Sequence, residues 1–253
     1  PKEEPAPGDS PPKAKPDDGP DKELPKIQPK PSRGMPKDRV HQQQPPPKHV
    51  EPFIAKRPGY ANYYFNEQNR DRIWSAFVAQ GDFSGLAGVW KLTGADAAGN
   101  KIEIELAGDK VTGRFGVRPA AIDLARDLDG QLVPDGSGGL LVALHLWKRL
   151  LQLGPKQFGD VYYLGTAPVP NRPGLVDVLV ATHNVVEVRF LFDPETGRLI
   201  GLEMFPDDQV DPCEVYFDDY RPVDGRQLPH TLLVRHGDAV YAQLQLESLV
   251  LSK

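Results

Sequence analysis

Serine, histidine, cysteine and carboxylate side chains are the groups in this chain that could do chemistry. Asp135-Gly136-Ser137-Gly138-Gly139 has the composition of a hydrolase nucleophile loop, and six histidines are available as its base. The working order of such a loop is Gly-Asp-Ser-Gly-Gly, so the first two residues are transposed here. The loop must also set its serine beside the backbone donors of an oxyanion hole, which a Gly-rich turn ahead of a helix does not do unaided. The segment reads as a plain flexible loop. Gly-x-Ser-x-Gly, a Walker phosphate loop and a dinucleotide fingerprint are all absent from the sequence.

For metals, the candidates are His230 with His236, then His183 and the carboxylates Asp207, Asp208, Asp211, Asp218 and Asp219. Two histidines six apart across a turn do not share a helical face as zinc-protease ligands do, so turn carboxylates and a strand-end histidine are expected. The stretch Asp207 to Asp211 has the chemistry for weak calcium binding at most. Cys213 is the single cysteine and excludes an intrachain disulfide. At a strand start, after Asp211-Pro212, it is expected to be a small packed hydrophobe. His145, among leucines, is expected to be a hydrogen-bonded, partly buried histidine. No catalytic residue, no metal site and no cofactor is assigned.

The elements that would position these groups begin late in the chain. Of 253 residues, 27 are proline, and 16 of those lie in the first 60 positions, where no aromatic precedes Phe53. Such text cannot bury enough surface to offset chain entropy, so residues 1–56 are expected to be a disordered Pro-rich linker or tail, and 57–253 one domain. Its Pro/Lys/Asp texture favours extended, semi-rigid conformations. Residues 1–60 carry a net charge of +3 and the remainder −8. An acidic domain without a Lys/Arg cluster is a poor partner for nucleic acid. No run of 18 apolar residues suggests a membrane span, and the start at Pro1, with neither Met nor signal-like core, reads as a fragment or processed product.

Within the domain, order is expected from about Phe53–Tyr60, then a helix over 62–80 with a stripe of Tyr64, Trp74, Phe77 and Val78 and a solvated face of Glu67, Arg70, Asp71 and Arg72. From Val89 the pattern changes to period two: Trp90 and Leu92, Ile102 and Ile104, and Val111 and Phe115 alternate with polar residues, giving a meander joined at Gly99-Asn100 and Gly108-Asp109. A short strand near 121–124 follows, then an apolar helix over 140–153 ended by Gly154-Pro155. Strands are expected over 160–166, 176–182, 185–192, 198–205, 214–220, 231–235 and 239–251. In the last, the apolar phase slips between Leu246 and Leu249, which requires a bulge near Glu247-Ser248. The sum is a mainly β (α+β) domain: a strongly curved antiparallel sheet or incomplete barrel of about ten strands, with two helices covering its open side. A sandwich is the structural alternative.

Two segments carry a family resemblance. Phe192-Asp193-Pro194-Glu195-Thr196-Gly197 and Phe217-Asp218-Asp219-Tyr220-Arg221-Pro222-Val223-Asp224-Gly225, followed by Leu228-Pro229, resemble the pattern of outer-membrane lipoprotein-sorting (LolA/LolB-like) domains. Asp219, Tyr220, Arg221, Gly225 and Pro229 match as turn and strand-end residues. The block from Gly59 onward is also similar to C-terminal domains of large planctomycete-type envelope proteins, some with protease and PDZ modules upstream. The resemblance implies an extracytoplasmic half-barrel that holds an acyl chain, lipid or lipoprotein between sheet and helices and does no catalysis. Its ligand-facing candidates are Trp90, Leu92, Ile102, Ile104, Phe115, Trp147, Val188, Phe190, Leu202 and Met204. The alternative is an accessory or interaction domain of a larger envelope protein, in which the same residues are filled core. Solvent-accessible space inside the sheet separates the two.

Overall fold

The computed structural model describes Lys48 and residues 61–132, 137–170, 172–206 and 211–253. The Pro-rich segment, the expected onset of order at 53–60 and the carboxylates Asp207 and Asp208 lie outside the described residues.

Eleven antiparallel strands form one sheet in the order β4-β3-β2-β1-β11-β10-β9-β8-β7-β6-β5. The strands are β1 Trp90–Asp96, β2 Lys101–Leu106, β3 Lys110–Phe115, β4 Arg118–Asp123, β5 Asp160–Pro168 and β6 Leu175–His183. They continue as β7 Val186–Phe192, β8 Leu199–Phe205, β9 Cys213–Val223, β10 Arg226–His236 and β11 Ala239–Leu251. Strands adjacent in the sheet are consecutive in sequence except at the β1/β11 junction, where the two meanders β1–β4 and β5–β11 are sewn together, and the sequence neighbours β4 and β5 lie at opposite edges. The sheet is curved and open, with β4 and β5 as its edges. Turns follow the expected chemistry: Asp224 and Gly225 both have positive φ, 48° and 77°, as a two-residue hairpin of this type requires.

The slip in β11 is a bulge. Thr93 pairs with Ser248 and Gly94 with Leu246, leaving Glu247 as the extra residue. It allows Leu246 and Leu249, three apart, both to be buried. Pro229, expected at a strand end, lies inside β10. It pairs with Tyr220 of β9, and the pairing of β10 with β11 starts only at Thr231, so a residue without an N–H fits there.

Among the described residues three α-helices lie with the sheet: α1 Ala61–Val78, α2 Leu140–Leu153 and the short α3 Pro155–Phe158. The third was not expected: Pro155 does not simply end α2 but serves as the first residue of α3. Over residues 65–78 of α1 the buried apolar residues are Ile73 and Phe77, with Trp74 packed beside them, whereas Val78 is exposed. Ten of the fourteen residues of α2 are buried, Lys148 among them. Its ammonium donates to the carbonyls of Gly88 (2.7 Å) and Leu106 (2.6 Å), tying α2 to the start of β1 and the end of β2. A buried charge is tolerated only with such partners.

Candidate functional site

The concave face is the first candidate site. Alternation along β1, β2, β7 and β8 sends Trp90, Leu92, Ile102, Ile104, Val188, Phe190, Leu202 and Met204 to one side, and α2 brings Trp147 against them. All nine are at most 2 % exposed, and Phe115 is packed at the margin. Trp147 lies edge-on to Trp90, ring centroids 5.5 Å apart, and 5.5 Å from Phe217. Phe158 of α3 stands edge-on to Phe190 at 5.6 Å. The ten residues expected to line a ligand space are thus brought together, but as parts of one packed cluster. Among the described residues, side chains of α2 and α3 pack against them.

The cover is uneven. While α2 is buried along its length, the described part of α1 buries Ile73 and Phe77 in the main cluster and is tied to the rim by polar groups. Arg72 donates through both Nη atoms to the two carboxylate oxygens of Asp177 on β6, each at 3.0 Å. The Tyr163 hydroxyl donates to the same carboxylate at 3.1 Å. This pair raises the Arg72 pKa further, chiefly through the hydrogen bond to Asp177. Asn66 of α1 then behaves as a strand segment: its amide donates to the Tyr163 carbonyl (2.9 Å) and its side-chain oxygen accepts from the Tyr163 N–H (3.0 Å). Because β5 is an edge, those backbone groups would otherwise face solvent or another chain. The charged face of α1 is therefore not merely solvated, since Asp71 also bridges to Lys156 of α3 at 3.0 Å.

The residues weighed for chemistry are scattered or enclosed. Ser137 is fully buried beside the N-terminus of α2. His236 packs edge-on against Tyr241 and abuts Gly138, and its Nε2 is buried with no partner among the described residues. His230 is buried, its Nδ1 3.1 Å from the Leu228 carbonyl. Cys213 is buried in the main cluster, where burial above all pushes its thiol up to about 12, the opposite of an activated nucleophile. Among the described residues no three His, Cys, Asp or Glu side chains are grouped as a metal site needs.

Sequence reasoning did not single out Lys148, Arg149, Asp177 or the partnership of His145 with His183. The available signal was a charge inside an apolar run: Val176-Asp177-Val178 on a strand and Trp147-Lys148-Arg149-Leu150 on a helix. His145 is only partly buried, as expected, but it makes no hydrogen bond with any described residue. Its ring instead lies 6.0 Å from that of His183.

No family model matches this chain, and no curated protein matches it. Solved structures are similar to it, among them the following two. One is LolA superfamily protein NE2245 from Nitrosomonas europaea, at 8 % identity and a TM-score of 0.41, covering 73 % of this chain and 94 % of that one. The other is a putative outer membrane lipoprotein-sorting protein domain from Vibrio parahaemolyticus, at 12 % identity and a TM-score of 0.40, covering 73 % of this chain and 90 % of that one.

Proposed function

We propose that the chain is a non-catalytic extracytoplasmic binding domain that rests closed and takes an apolar chain, such as an acyl group, between the sheet and α1. The observation that carries this reading is the contrast between the two long helices. Removing α2 would undo the core, whereas α1 gives up Ile73, Phe77, part of Trp74 and a polar clamp at the rim. Those losses amount to roughly 6–9 kcal/mol, taking about 1.5–3 for each of Ile73 and Phe77, about 1 for the packed part of Trp74 and about 2 for the clamp. At roughly 0.8 kcal/mol per methylene, a chain of about eight to eleven methylenes offsets them.

Native mass spectrometry of the full chain with octanoate and with palmitate tests this. Palmitate should bind at one per chain and octanoate should not, and Arg72→Met should increase palmitate uptake. A protein that stays at its bare mass with both, in both forms, would sink the reading. The second reading, an accessory or interaction domain with no small ligand, is favoured by the complete burial of nine of the ten wall residues. It would then take over.

A further inference from the structure

A polar cavity of about 160 Å³ opens away from the packed wall, where the β2–β3 turn meets the β6–β7 turn across α2. Gly108 and Asn184 come from the two turns, Leu128 from the segment after β4, His145 and Arg149 from successive turns of α2, and His183 from the end of β6. The space holds roughly five waters at about 30 Å³ each. We infer that it is an oxyanion site, for a carboxylate or phosphate group, in which Arg149 supplies the charge and His145 and His183 supply directed hydrogen bonds. This inference is independent of the apolar-ligand reading.

Three observations lead to it. Arg149 has no carboxylate within ion-pair distance among the described residues; its Nε donates to the Phe158 carbonyl at 2.8 Å and Nη2 to that of Gln157 at 3.4 Å, while Nη1 donates to no described residue. Both imidazoles lie at the same cavity, and neither makes a hydrogen bond with any described residue. No carboxylate lines the cavity or appears among the charges acting on His145, which are those of His183, Arg149 and Lys148. A half-buried guanidinium that rests over the Phe158 ring, 5.6 Å from its centroid, and has no carboxylate partner among the described residues, beside two imidazoles, is a place where an anion gains charge-assisted hydrogen bonds that water alone does not match. Burial, then the charges of His183, Arg149 and Lys148, lower the pKa of His145, and burial, then the charge of Arg149, lower that of His183. Each ring is neutral at pH 7 and presents one N–H, and a bound anion would favour a second proton on it.

The test is a histidine-resolved NMR titration of the full chain in chloride-free buffer, with four probes: acetate, inorganic phosphate, dodecanoate and dodecyl phosphate. Saturable shifts of the His145 and His183 ring signals are expected, with affinity reduced about tenfold or more in Arg149→Gln. His183→Gln, at the half-buried end of β6, provides a second variant should Arg149→Gln fail to fold, and it should weaken binding while leaving the remaining ring responsive. Equal affinity for the short and long members of each pair identifies a free anion as the ligand. A gain of about tenfold or more from the tail identifies the headgroup of an amphiphile. Rings that do not respond to any of the four probes, or responses unchanged by both substitutions, would overturn the assignment.

Discussion

Arg72 and Asp177, 105 residues apart in sequence, meet in a two-pronged ion pair with both N–O distances at 3.0 Å, and the carboxylate is almost fully buried. The pair joins the helix that precedes the sheet to a strand near its far edge. Arg72→Met leaves that carboxylate enclosed with only Tyr163 as donor, whereas Asp177→Asn leaves a guanidinium that is half exposed and can turn to water. Arg72→Met should therefore destabilise by about 2 kcal/mol and Asp177→Asn by less. Urea midpoints of the two variants and their double mutant check this, and equal losses would contradict it.

Gly94 faces the bulge in β11. A Cβ there would fall on the carbonyl oxygen of Gln245, and backbone on both sides is held by ladder pairing. Gly94→Ala should cost about 2–4 kcal/mol, a value seen when neither partner can give way. Gly99→Ala, in a turn with open space around its Cα, should cost about 1 kcal/mol, from its positive φ alone. Thermal unfolding of both variants checks the order.

His145 gives the domain an acid-sensitive stability. Burial first, then the charges of His183, Arg149 and Lys148, lower its pKa from 6.5 to about 4. Between those values the unfolded chain takes up a proton that the folded one refuses, so stability is full above pH 6.5, falls as pH drops towards 4, and is level for this group below that. The loss is about 3 kcal/mol. His145→Phe should remove it, so the stability gap between variant and parent should shift by that amount in the variant's favour from pH 7.5 to pH 4. Parallel pH profiles would contradict the account.

Cys213 should resist alkylation. Its thiol is enclosed in the main cluster and pushed up to about 12, so iodoacetamide at pH 8 should label native protein only through global opening. The labelling rate should follow unfolding stability across the variants above. Fast labelling of the parent at low denaturant would show a local route to this strand.

Local text was read well and long-range pairing was not. The bounds of α2 at Leu140 and Leu153 follow from an apolar run ended by Gly154, and the bulge at Glu247 follows from a phase slip within one strand. Both are signals carried by neighbouring residues. The ten wall residues were recognisable as one face by their alternation, but periodicity does not say what fills the space before them. The clamp from Arg72 to Asp177 was hidden because a charge on a helix looks the same whether it meets water or a partner brought by a distant strand. The oxyanion cavity draws on four separate elements, and no spacing rule links His145 to His183.

The junction of β1 with β11 has a consequence for how the chain is made. The strand that joins the two halves is Ala239–Leu251, the last of this sheet to be synthesised, and its partner Trp90–Asp96 is the first of this sheet. Each meander can assemble from neighbours as it emerges, but the seam between them must wait for the whole domain to be synthesised. Closing a separation of about 150 residues is slow compared with forming hairpins. Until then the nascent chain carries two unpaired strand edges that a chaperone, or a second nascent copy, would find first.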